Sequence, residues 1–229
     1  MNLPDQQTAR RIVPQIAFKL LLVLVLFIAS ISIFGFIVHE VLIENEVDLD
    51  QHIHKWVDSF KTDTLIQFMR RITFFGSSYF LLPAYCLLII FFFLKRRKSL
   101  AIDIGIIGLS STLFLHSLKF FFKRGRPESP LISPLRTFSF PSGHALSSFI
   151  FCSVLVYIIW KTEIPLWLKW LLSLLLICFS LLIGVSRIML NMHYPSDVIA
   201  GISLGLAWVL LSFWLLEKMN ARSRKKQIQ

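Results

Sequence analysis

Three polar runs, KFFFKRGRP (119–127), PSGH (141–144) and SRIMLNMHYPSD (186–197), punctuate an otherwise greasy sequence. Around them the chain is largely Leu, Ile, Phe and Val. The polar runs fall where apolar segments of about twenty residues begin or end, a length that crosses a bilayer core of about 30 Å. This placement points to an all-α membrane protein, with its polar chemistry gathered at helix ends.

Composition agrees. Of 229 residues, 55% are hydrophobic and 22 are Phe, and the mean hydropathy is +0.69. A soluble domain keeps its charges well spread; here they collect in the segments between apolar runs. The net charge of +11 suits a membrane protein, whose basic residues gather on the cytoplasmic side and near anionic headgroups. No nucleic-acid partner is needed to explain it. Cys86, Cys152 and Cys178 lie inside apolar runs without metal-ligand spacing or a disulfide framework, and read as small packing residues.

Six spans are expected in one bundle formed by residues 1–229. They run over Ile16–Val38, Ser77–Leu94, Ala101–Phe122, Ser142–Trp160, Leu166–Val185 and Pro195–Leu216. The first is too long and lacks the small-residue cleavage site of a signal peptide. Residues 39–76 change character. Acids come first, then a helical spacing of Ile53, Trp56, Val57 and Phe60, followed by Leu65, Phe68 and Ile72. Such spacing suits short amphipathic helices at the membrane surface, either capping the bundle or guiding a lipid. His52 and His54 read as surface histidines. Trp160, Trp167 and Trp170 read as an interfacial belt.

An even number of spans puts both termini on one side. That side collects Arg10, Arg11, Lys19, Lys95 to Lys98, Lys161, Lys169, Lys218 and the tail cations, a majority of the 24 Lys and Arg. The termini are therefore expected in the cytoplasm, and the segment 119–197 with its three motifs on the extracytoplasmic face.

The motif residues suit phosphoryl chemistry. Catalysis of phosphoryl transfer rests on positioning and on positive charge around the equatorial oxygens. Arg126 and Arg187 offer forked N–H donors, and Lys119 offers a point charge. Ser142 and Gly143 open a helix whose N-terminal N–H groups favour phosphate. His144 follows, with a proton affinity suited to general acid work. His193 and Asp197 flank Pro195, which fits a first helical turn. From there Asp197 can reach one ring nitrogen of His193 and leave the other free to attack phosphorus. The same carboxylate also suits a plain helix N-terminus. A basic loop with Lys123, Arg124 and Arg136 would suit a second phosphate.

Taken together, with their order and spacing intact, the three clusters resemble the type-2 phosphatidic acid phosphatase family. This is the membrane branch of a superfamily that includes the vanadium haloperoxidases. The resemblance implies a phosphohistidine on His193, oriented by Asp197, with His144 protonating the leaving group and then activating water. It also implies that Lys119, Arg126, Ser142, Gly143 and Arg187 hold the phosphoryl oxygens, with no metal and no cofactor. The expected substrate is a lipid phosphate or diphosphate, either an isoprenoid diphosphate or a glycerophospholipid phosphate, whose tail stays in the bilayer. Phosphate transfer to a lipid or sugar acceptor is the main alternative on the same site. A non-catalytic lipid-binding protein would need the cations but not His144, His193 and Asp197, and a transporter would place polar groups near the bilayer midplane.

Overall fold

The computed structural model describes residues 6–44, 48–132 and 137–228; for 6–16, 42 and 220–228 only the backbone is described. Arg136 and Glu46 lie outside the described residues, as do the side chains of Arg10, Arg11 and the basic tail. The helices are α1 (Gln6–Val38), α2 (Asp48–Asp58), α3 (Asp63–Phe74), α4 (Ser78–Leu94), α5 (Lys98–Phe122), α6 (Gly143–Trp160), α7 (Leu166–Met189) and α8 (Pro195–Ile228). A π-helical turn, His39–Ile43, continues α1. No strand occurs among the described residues.

Among the described residues, six helical stretches are long and apolar enough to cross a membrane: Ala17–Val41, Asp63–Leu94, Lys98–Phe122, Gly143–Trp160, Leu166–Met189 and Pro195–Met219. The protein is an integral, multi-pass membrane protein. Its exposed faces fit that setting, since Leu24, Leu87, Leu109, Phe121 and Leu174 are all more than half exposed. In water such a surface would aggregate; in lipid it is the solvated side.

Helix ends differ from the sequence reading in a few places, and each difference has a local cause. α7 continues past Val185 and carries Ser186 and Arg187 in its last turn. It stops at Asn191, which adopts the left-handed conformation with φ 53°. There the N–H of Asn191 donates to Ile188 O and that of Met192 to Arg187 O, the two closing bonds of a Schellman cap, which Asn tolerates. α5 starts three residues earlier than expected, after a left-handed Arg96 reverses the chain. α8 runs past Leu216 to Ile228.

The core has three parts. Apolar residues from Ile104, Ile107 and Leu115 of α5, Leu146 and Ile150 of α6, and Leu204 and Val209 of α8 fill the bundle. A second cluster lies at one end, where Val57 of α2 and Met69 of α3 pack on Ala145, Ile188, Met189, Leu190, Met192 and Val198. The amphipathic segment thus caps the end of the bundle that carries the motifs. Trp56, Phe60 and Phe68 remain exposed on its other face. In the third, Phe140 is fully buried against Phe34 and Phe122 and pins the loop before α6. His52 and His54 do not act together. His52 is exposed, whereas His54 is half-buried with its ring edge-on to Tyr194.

α6 and α8 approach closely because Gly201 has no side chain. A Cβ there would lie 2.7 Å from the carbonyl oxygen of Ser142. Gly201→Ala is expected to wedge the two helices apart and cost about 1–3 kcal/mol. The thermal midpoint of the purified protein in detergent should fall. Gly35→Ala, at a position with nothing within 4 Å, should leave the midpoint unchanged.

Candidate active site

Four helix ends meet beneath the cap: the end of α5, the start of α6, the end of α7 and the start of α8. Alternating chain direction puts all three motifs at the same end. The N–H of Ser142 donates to the carbonyl of Asp197 at 2.9 Å, which locks the α6 start to the α8 start. Ser142 then caps α6, accepting weakly from Ala145 N at 3.5 Å.

Asp197 is fully buried at the third position of α8. One oxygen, Oδ2, accepts from the N–H of Tyr194 at 3.0 Å and from His193 Nδ1 at 3.3 Å. The first of these contacts closes the helix N-terminus in the manner of a capping box. The second holds the imidazole. This one carboxylate oxygen thus makes both a helix-terminal contact and a ring contact.

The other side of the ring faces Arg126, whose Nη1 lies 3.3 Å from His193 Nε2. A guanidinium only donates, so Nε2 must present its lone pair and Nδ1 must carry the proton. Asp197 and Arg126 thus specify the same tautomer from opposite edges. Arg126 is itself fixed by the carbonyls of Thr137 and Met192 at 2.8 and 2.7 Å. It also bonds Thr137 Oγ1 at 3.0 Å and Phe138 O at 3.3 Å.

The remaining cations converge on the same volume. Lys119 Nζ donates to Phe138 O at 2.7 Å and Ser139 O at 3.3 Å, leaving its third proton for another acceptor. The Cε of Lys119 lies 3.7 Å from where a Cβ on Gly143 would sit. Arg187 is buried. Its Nη1 donates to Thr73 Oγ1 of α3 at 2.7 Å, while its Nε is buried without a partner among the described residues. A buried, charged donor left in this state is costly, and its N–H is open to an acceptor oxygen. His144, at the second residue of α6, packs beside Gly76 within electrostatic reach of Arg187, His193, Arg126 and Lys119. Every motif residue named from the sequence is thus brought to one end of the bundle.

Three partners were not legible beforehand. Thr73 holds Arg187. Arg124, expected to serve a second phosphate, instead turns inward. Its Nη1 donates to Asp197 Oδ1 at 2.7 Å and to Ser196 Oγ at 2.8 Å, and its Nη2 to Asp50 Oδ2 at 2.8 Å. Asp50 comes from α2 and is almost wholly buried. Removing one member of such a buried ionic cluster costs about 3–5 kcal/mol, because its partner is left unpaired.

Comparison with known proteins agrees with this geometry. The PAP2 superfamily model matches residues 100–221. The phosphatidylglycerophosphatase B of Bacillus subtilis (strain 168) is 29% identical over 179 residues, covering 77% of this chain and 85% of that protein. The undecaprenyl-diphosphatase of Sulfolobus acidocaldarius is 29% identical over 172 residues, covering 72% and 77%. The crystal structure of a transmembrane PAP2-type phosphatidylglycerolphosphate phosphatase from Bacillus subtilis superposes with a TM-score of 0.73 at 26% identity, covering 86% of this chain and 96% of that one. With three motifs at one end of six apolar helices, the chain belongs to the PAP2 superfamily, among its membrane-embedded lipid phosphatases.

Proposed function

We propose that the protein hydrolyses a lipid phosphomonoester or diphosphate through a phosphohistidine on His193, without a metal. The observation that carries this reading is the clamped ring. Asp197 holds Nδ1 while Nε2 turns its lone pair toward Arg126.

Nε2 attacks the terminal phosphorus, the N–P bond forms, and the bond to the leaving oxygen breaks; that oxygen is the lipid hydroxyl oxygen in a monoester and the bridging oxygen of the departing lipid monophosphate in a diphosphate. His144 donates a proton to that leaving oxygen. The ring keeps its Nδ1 proton and becomes cationic, a charge that Asp197 offsets. In the second step His144, now neutral, takes a proton from water. The resulting hydroxide attacks phosphorus, the N–P bond breaks, and phosphate leaves with His193 restored. Lys119, Arg126 and Arg187 supply the positive charge that spreads over the equatorial oxygens, with Ser142 and Gly143 at the α6 N-terminus.

The substrate class is a lipid whose headgroup enters the cluster from the membrane–water boundary. An isoprenoid diphosphate or a glycerophospholipid phosphate fits, in keeping with the names of the two relatives. The end of the bundle opposite the motifs carries the α4–α5 turn with Lys95, Arg96, Arg97 and Lys98. Basic residues favour the cytoplasm, so the motif end is the extracytoplasmic one.

Phosphate release by detergent-purified protein tests the reaction. With chelator present, wild type should release phosphate from at least one of undecaprenyl diphosphate, phosphatidylglycerophosphate and phosphatidic acid, and His193→Ala from none. Near-normal release by His193→Ala removes the nucleophile, and loss restored by magnesium removes the metal-free step.

Ionisation gives a second check. Burial pushes the His193 imidazole down to about 4, against the upward pull of Asp197. The ring is therefore neutral and nucleophilic at neutral pH. In an NMR titration of protein carrying ¹⁵N-labelled histidine, His193 should stay uncharged as pH falls through the ordinary value and protonate only near pH 4. A midpoint above 7 contradicts a neutral resting nucleophile.

Sidedness has its own readout. In a background with Cys86, Cys152 and Cys178 replaced, a membrane-impermeant thiol reagent should label Ser59→Cys in intact cells and spare Ser99→Cys. The reverse pattern inverts the orientation.

A further inference from the structure

The cluster formed by Asp50, Arg124, Ser196 and Asp197 ties the first and third motifs to Asp50, which lies outside all three. It spans the α2 cap, the loop after α5 and the start of α8. Asp50 is held at both oxygens: Oδ1 accepts from the N–H of Ser196 at 2.8 Å, and Oδ2 from Ser196 Oγ at 2.6 Å and from Arg124 at 2.8 Å. Arg124 is pinned between two carboxylates, with its guanidinium 4.2 Å from the ring of Tyr194. A planar fork held in this way has little freedom.

We propose that Asp50 and Arg124 are positioning residues for the reaction: Asp50 fixes Arg124, and Arg124 grips Asp197 Oδ1 so that Oδ2 stays on His193 Nδ1. This inference rests on the reading of His193 as the nucleophile.

Asp197 has two oxygens and one rotatable bond to its carboxylate. Oδ2 serves the ring and the Tyr194 N–H, and Oδ1 is taken by Arg124. If Oδ1 were released, the carboxylate could turn and the Nδ1 contact would loosen. The tautomer with its lone pair on Nε2 would then lose one of its two supports.

Charge points the same way. Arg124 beside Asp197 alone would cancel the negative charge that a cationic ring needs. Asp50 offsets Arg124, so on the Nδ1 side of His193, opposite Arg126, two carboxylates and one guanidinium leave a net negative charge. That charge favours the imidazolium-like ring of the phosphorylated state. An α2 anchor made only for stability would not need its carboxylate joined through a guanidinium to the residue that holds the nucleophile.

The test uses Asp50→Asn, nearly isosteric, and Arg124→Lys, which keeps the charge but loses the fork. Each full-length variant is purified in detergent with ¹⁵N-labelled histidine and compared with wild type for kcat, KM, thermal midpoint and the His193 nitrogen signals. Small misplacements of a reacting group cost on the order of 10²-fold in rate. The expected result is a loss of that size in kcat with KM near wild type, together with a shift of His193 from the single Nδ1–H tautomer to a mixture. Should Asp50→Asn fail to fold, Arg124→Lys carries the same comparison.

A folded variant with wild-type kcat and an unchanged tautomer overturns the proposal. So does a rate loss that tracks a fall in thermal midpoint while the tautomer stays fixed, since that marks Asp50 as a tether of α2 only. The nitrogen signals need no turnover. If wild type releases no phosphate, the phosphatase reading fails, and the tautomer still decides whether the network holds the ring.

Discussion

A carboxylate shut away inside an apolar bundle has to be paired, and the arrangement around Asp197 follows from that demand. Its two oxygens take the ring of His193, the N–H of Tyr194 and the guanidinium of Arg124, and its carbonyl takes the N–H of Ser142. These four contacts join the loop before α8, the loop after α5 and the start of α6 at one point. Left unpaired, the same charge would cost several kcal/mol. Polar groups buried in a bundle are tolerable only as a closed set, and the set closes here through Arg124 and Asp50.

The apolar part of the chain supplies the frame for this set. Helices that alternate in direction bring the end of α5, the start of α6, the end of α7 and the start of α8 to one level. Two local devices then aim the side chains. The left-handed Asn191 ends α7 just after Arg187 and turns the chain so that His193 follows within a few residues. Pro195 then starts α8, whose third residue is the carboxylate. Close approach at Gly201 draws α6 and α8 together. In this way the spacing of the third motif, which looks arbitrary in a linear string, becomes one helix cap, one turn and one helix start.

Much of this could be read in the sequence because it depends on local signals. Runs of about twenty apolar residues mark spans, and Pro, Ser and Gly mark where α6 and α8 begin. The motif residues sit within a few positions of those marks. Helix ends were harder, since the end of α7 depends on a left-handed Asn rather than on any loss of hydrophobicity. Asp50 was hidden for a different reason. It stands in a run of acids that reads as a solvated loop, and its partners Arg124 and Ser196 lie 74 and 146 residues away. A contact over such a separation leaves no local trace. Arg124 was misjudged in the same way: among Lys123 and Arg126 it looks like one more phosphate ligand, yet two carboxylates claim it. Thr73, which holds Arg187, lies near the end of an amphipathic helix with nothing to mark it out.

The anchoring of α2 has a consequence for traffic. Asp50 enters the protein with its charge and leaves its helix bound to the bundle through Arg124 and Ser196. Swinging that helix outward would strip the Asp50 carboxylate of Arg124 and Ser196 and leave the guanidinium with one carboxylate in place of two. Opening the roof at α2 therefore costs the pairing of a buried carboxylate. For the lipid proposed as substrate, whose tail stays in the bilayer, a roof tied down in this way would leave the side of the bundle as the approach.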